Sequence, residues 1–160
     1  MPPERSQVER VLRTLDAAWA AFQESYAGLP DAVLLAPGVV GEWSVKDVLA
    51  HVLTWQEEAL RHLPVVARGG TPPRYATTHG GIDAFNARMA ERKRDLSLGD
   101  VCRRLDETQR RLVDLIRSAP EDQLSGDTRF RRRLRLDTYG HYRLHASSIQ
   151  EWRATQAEST

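Results

Sequence analysis

The 160-residue sequence has one cysteine, Cys102, which excludes an intrachain disulfide and any metal cluster built on thiolates. It has no surplus of one charge sign: 23 basic and 22 acidic residues leave a net charge of +1. Overall charge therefore does not impose binding to nucleic acid or to an anionic membrane. No run of 18 apolar residues is present, so no membrane span is expected, and nothing at the start reads as a secretory signal. The expected location is cytoplasmic. No set of alternating apolar and polar segments reads as strands, and no internal repeat is found.

What is present fits a single folded domain spanning 1–160. Apolar residues make up 41% and charged residues 28%. Charge is uneven: residues 1–80 hold seven basic and nine acidic groups, and residues 81–160 hold sixteen and thirteen. Arginine outnumbers lysine 21 to 2, which we take mainly as coding bias, apart from a cluster at Arg129, Arg131, Arg132, Arg133 and Arg135.

Helices separated by breakers account for the chain. Val8, Val11, Leu12, Leu15, Trp19, Phe22 and Tyr26 recur at steps of three and four, predicting a helix over Glu4–Ala27. Gly28 and Pro30 end it, and a loop runs over Leu29–Glu42. Ser44 is a good N-cap and Asp47 can answer it as a capping box. The second helix then presents Val45, Val48, Leu49, Val52, Trp55, Ala59 and Leu63, and Pro64 weakens it near its end. Arg68–Gly81, with four glycines and two prolines, reads as a flexible loop. A short helix over Ile82–Arg94 follows. Ser97 with Asp100 caps another, reaching about Ser118. Thr128–Leu136 reads as an extended loop, and Asp137 as the cap of a last helix over Thr138–Thr155. The expectation is all-α: a bundle of four long helices with one extra short helix and a long crossover loop.

Three histidines carry the chemistry. His141 and His145 are four apart, which places both imidazoles on one helix face about 6 Å apart along the axis. In zinc proteases with the same spacing a glutamate follows the first histidine; Tyr142 stands there, so that reading lacks its general base. His51 sits at the edge of the apolar stripe of the second helix. Three imidazoles from facing helices make a metal site with positions left open for water or substrate. Core histidines satisfied by hydrogen bonds are the alternative.

The stretch Glu42-Trp43-Ser44-Val45-Lys46-Asp47-Val48-Leu49-Ala50-His51-Val52 resembles the second-helix motif of the DinB-like (YfiT) superfamily. Asp137-Thr138-Tyr139-Gly140-His141-Tyr142-Arg143-Leu144-His145-Ala146 is similar to that superfamily's last-helix motif, His-x-x-x-His. Phe85-Asn86 and the spacing to Ser97 resemble the ClbS/DfsB branch more closely. The resemblance covers nearly the whole chain. It implies an up-down-down-up four-helix bundle, often a homodimer, with a divalent metal, usually Zn or Ni, on His51, His141 and His145. It also implies a small-molecule substrate, and for some members a low-molecular-weight thiol. The ClbS/DfsB branch includes a self-resistance hydrolase that, as aligned, lacks the histidine at the position of His51; this sequence keeps all three.

Three functions follow as expectations. The first is transfer or hydrolysis at small electrophiles, with a metal-bound thiol or water as the nucleophile. Trp55, Asn86 and Tyr142 are candidate pocket residues and Glu58 a candidate neighbouring carboxylate. Against these stand plain core for the aromatics and a solvated surface charge for Glu58. His79 is a possible fourth ligand, though a loop histidine is more often not one. The second is a binding module in which the arginine cluster holds an anion or, less readily, nucleic acid; a solvated loop paired with Asp122, Asp127 and Asp137 is the plainer reading. The third is a helical homodimer without chemistry. His62 is expected to face solvent, and Cys102 to be a half-buried apolar residue.

Overall fold

Local capping starts the helix that carries the first histidine. Ser44 Oγ accepts from Asp47 N, and Asp47 accepts in return from Ser44 N, a complete capping box. Just upstream, residues 39–43 form a tight turn in which Trp43 N donates to Val40 O and Val39 N to Trp43 O. Gly41, at φ 57°, supplies the left-handed residue this turn requires. The turn sets the Trp43 ring 5.1 Å from that of His51.

The computed structural model describes residues 3–158. Among them the helices are α1 (Pro3–Tyr26), α2 (Asp31–Leu34), α3 (Val45–Ala67), α4 (Tyr75–Thr78), α5 (Ile82–Lys93), α6 (Leu98–Ser118), α7 (Glu121–Leu124), α8 (Arg129–Asp137) and α9 (Tyr139–Glu158). No strand is found among the described residues, and no helix is long and apolar enough to cross a membrane. Helix α1 packs along α9 and α3 along α6, with α8 laid against α3. These pairs bury Leu15, Phe22, Leu53, Leu63, Leu112 and Ile149 completely or nearly so. Each such side chain contributes about 2 kcal/mol by leaving water.

The four long helices are those the periodicity predicts. Four expectations are corrected, the first being the loop expected over Leu29–Glu42, which contains the one-turn helix α2. The extended loop expected over Thr128–Leu136 is helix α8, because Thr128 caps Arg131 N and Phe130 and Leu134, four apart, are both buried. Asp137 is consequently the last residue of α8 and not a cap; Thr138, at φ −128° and ψ −96°, forms the joint to α9. The glycine-rich stretch Arg68–Gly81 is not loop throughout, since it contains α4 and is tied down by Arg129, which donates to Gly70 O.

The joint between α8 and α9 is close. A Cβ on Gly140 would lie 2.8 Å from Arg135 O and 3.3 Å from Arg135 Cγ. Gly140 thus lets α9 start within one residue of the end of α8, and this entry fixes where His141 stands.

Candidate metal centre

His51 comes from α3, and His141 and His145 from consecutive turns of α9. His141 Nε2 lies 3.0 Å from His51 Nε2 and 2.9 Å from His145 Nε2. One ring nitrogen from each lies within 4.8 Å of the others. All three rings are half-buried. Burial, with His145 alongside, holds His51 down at about 4; burial, with both neighbours, holds His141 at about 2; burial holds His145 at about 4. All three are neutral at pH 7 and present lone pairs, the state a metal ligand needs.

The hydrogen bonding inside the triad is incomplete. At most one hydrogen can lie between each pair of facing nitrogens, and Nδ1 of both His141 and His145 is buried without a partner. Buried polar atoms are ordinarily paired. Three neutral imidazoles turned toward one point suit a borderline cation of the zinc or nickel kind, and three ligands leave a coordination position open.

His51 and His141 line a cavity of about 350 Å³, a size that admits a small molecule. Trp55 and Asn86 share its wall, with the Trp55 indole N–H donating to Asn86 Oδ1 at 3.0 Å. A larger cleft of about 570 Å³ adjoins it at Asn86, lined by Trp43, Asp47 and Glu91 and by none of the three histidines.

Other candidates fall elsewhere. Tyr142 is fully buried in the core and not in the pocket wall; its hydroxyl donates to Gln109 Oε1 and accepts from Gln56 Nε2, and its ring packs on Trp19 and Phe22. Glu58 is not a solvated charge. It is 4% exposed and accepts from the Tyr75 hydroxyl at 2.9 Å, with His62 at 3.1 Å and Arg61 at 3.3 Å. His62 is accordingly turned inward, contrary to expectation. His79 bonds Arg88 and packs on Phe85, so it is not brought to the triad. Cys102 is half-buried, and burial raises its thiol further from reactivity.

Most of the arginine cluster is engaged within the chain. Arg129 holds Gly70 O, Arg131 holds Leu124 O, and Arg132 pairs with Asp127. Arg133 pairs with Asp137 at 2.6 Å and donates to the Tyr75 hydroxyl. Burial, partly offset by Arg133, pushes Asp137 up to about 6. Tyr75, Arg133 and Asp137 all line the pocket; the pairing of the cluster with Asp127 and Asp137 follows the plainer reading of the sequence, whereas Tyr75 was not singled out. Also unanticipated is the buried Gln56–Gln109–Tyr142 cluster. Its one signal was glutamine at an apolar-stripe position: Gln56 between Val52 and Ala59, and Gln109 between Leu105 and Leu112.

Fold and site together define a helical bundle with three clustered imidazoles, two of which line a cavity of about 350 Å³. Residues 14–154 match the family model of the DinB superfamily, and the chain belongs to that superfamily. Its fold is shared with an uncharacterised protein from Escherichia coli UTI89, at TM-score 0.78 and 16% identity over 94% of both chains. It is shared also with the colibactin self-resistance protein ClbS, solved in complex with a dsDNA, at 0.76 and 18% over 90% of this chain and 93% of that one. A third is DfsB, described as a sibling lethal factor precursor, at 0.76 and 15% over 98% of each. No curated protein sequence matches the chain.

Proposed function

We propose that the protein holds a divalent cation on His51, His141 and His145 and promotes transfer or hydrolysis at a small electrophile, in detoxification or stress response. The observation that supports this is the triad itself: three neutral imidazoles whose Nε2 atoms face one another beside a cavity. When bound, such an ion supplies Lewis acidity and lowers the pKa of a coordinated water or low-molecular-weight thiol. The chain's own residues do the rest. Trp55, fixed by Asn86, and the exposed side chains of Ile82 and Leu136 give the cavity a mostly apolar wall that holds the substrate body and limits water. Tyr75, on the α4 segment, forms part of that wall and is anchored by Glu58 and Arg133. A homodimer is the assembly we assign, tested by sedimentation.

The test is elemental analysis of the untagged protein beside a His51→Ala/His145→Ala variant. We expect about one zinc or nickel ion per chain, lost in the variant. Absence of metal from both, with no thermal shift on adding either ion, overturns the reading.

A second reading, a metal-free binding protein in the manner of ClbS with duplex DNA as ligand, draws on the exposed Arg129, Arg132 and Arg135 along α8. DNA affinity that falls steeply with salt and is lost on replacing these three would favour it.

A further inference from the structure

We infer that Arg133 is the anchor for an anionic head group, so that the molecule the pocket accepts is a small amphipathic anion: an aromatic or alkyl body ending in a carboxylate-type group. That this molecule is the substrate rests on the reading proposed above; that the site binds it does not.

The argument begins with hydrogen atoms. A guanidinium carries five N–H donors in one plane. Two are used: Nε donates to Asp137 Oδ2 at 2.6 Å and Nη2 to the Tyr75 hydroxyl at 2.6 Å. Three remain, two of them on Nη1, which has no partner among the described residues. Nη1 is not sealed in the core either: it is absent from the buried atoms left without a partner, and the side chain keeps 19% of its surface exposed. Arg133 lines the triad's cavity and also the adjoining one of about 390 Å³, so its side chain borders space that a ligand can enter.

That edge is held still. Asp137, 3% exposed, fixes the Nε side, while the Tyr75 phenol fixes Nη2 and its ring lies 5.7 Å from the guanidinium carbon. Tyr75 is fixed in turn by buried Glu58. A guanidinium held on two sides loses little side-chain freedom when a ligand binds the third, the condition under which arginine recognises planar anions best. Among the residues lining this cavity Arg133 is the one permanent cation, and Asp137, which also lines it, is engaged on the Nε side of the guanidinium and leaves the Nη1 side unpaired. The remaining wall, with Trp55, Ile82 and Leu136, is chiefly apolar and suits the ligand's body. The same pocket thus offers charge recognition at Arg133 and the histidines at another part of its wall.

Two dyes of nearly one shape test this. 8-Anilinonaphthalene-1-sulfonate has an aromatic body and an anionic head; N-phenyl-1-naphthylamine has the same body without the sulfonate. Fluorescence titrations are made on chelator-treated protein, so that no metal holds the sulfonate. Arg133→Gln is expected to weaken the sulfonate dye about tenfold and leave the neutral dye within about twofold; Arg133→Lys recovers part of the loss. Tyr75→Phe, which keeps the charge but frees Nη2, gives a smaller loss of the same pattern and serves should Arg133→Gln fail to fold. Equal loss of both dyes overturns the proposal, since Arg133 then merely shapes the wall. Unchanged affinity for the sulfonate dye, or no binding of either dye to the wild type, overturns it as well. Zinc titration of the same samples reads the metal site separately: Arg133-dependent dye binding without zinc binding sinks the metal reading and leaves this one standing, and the converse does the reverse.

Discussion

Two polar clusters share one pocket and are built on opposite logic. In the cluster of Glu58, Tyr75, Arg133 and Asp137, donors face acceptors and each charge meets its opposite. In the triad, nitrogen faces nitrogen and two buried Nδ1 atoms have nothing to bond. The first holds Tyr75 and Arg133 in place and leaves one edge of the guanidinium unpaired. The second is held together at a cost, because imidazoles lose hydration without gaining full hydrogen bonding. A group that is costly alone and convergent with others is the usual sign of a binding site.

Acid separates the two clusters most strongly. The triad histidines are held well below their ordinary 6.5, so the unfolded chain binds more protons than the folded one below that pH. Their contribution is therefore lost as pH falls from about 6.5 toward 4. Asp137 has the reverse sign: raised from 3.8 to about 6, its contribution is lost as pH rises through 6 and regained on acidification. His62, also lowered by burial, adds to the acid loss. Urea unfolding of metal-free protein from pH 7 to 4 is expected to show falling stability. Replacing all three triad histidines by leucine should remove most of that fall; an unchanged slope would place its origin outside the triad.

Cutting the first cluster should give the largest single-site loss. Asp137→Ala leaves the guanidinium of Arg133 short of its counter-charge and should cost about 3 kcal/mol in chemical denaturation. Arg133→Leu/Asp137→Leu together should recover much of it, because the pair's worth lies in mutual compensation. A double variant no better than the single would show that the pair stabilises in its own right. Tyr75→Phe is the mildest cut, expected to cost about 1 kcal/mol, since it removes one hydroxyl shared by two partners.

How much of this was legible differs by cluster for a physical reason. His51, His141 and His145 announce themselves because their chemistry is rare and the last two are one helical turn apart. The long helices were equally plain, since Ser44 and Ser97 carry out the caps their spacing suggested. Helix α8 was hidden because five arginines surround its two buried apolar residues, Phe130 and Leu134, and so mask the apolar spacing. Glu58 resembles any surface glutamate in sequence; its inward state depends on Tyr75, 17 residues away, and on Arg133 at the far side of that phenol. Tyr142 next to His141 looked like a pocket residue, yet successive helical positions point about 100° apart, and this one enters the core.

Gly140 has a consequence for how the protein can be altered, by evolution or by design. Because a single methyl there meets the backbone oxygen of Arg135, the space behind the first turn of α9 is already full. The histidine motif can thus be displaced from its far side by a residue that touches neither ligand nor pocket. An engineer wishing to retune the triad without editing any of its members has a lever in that one position.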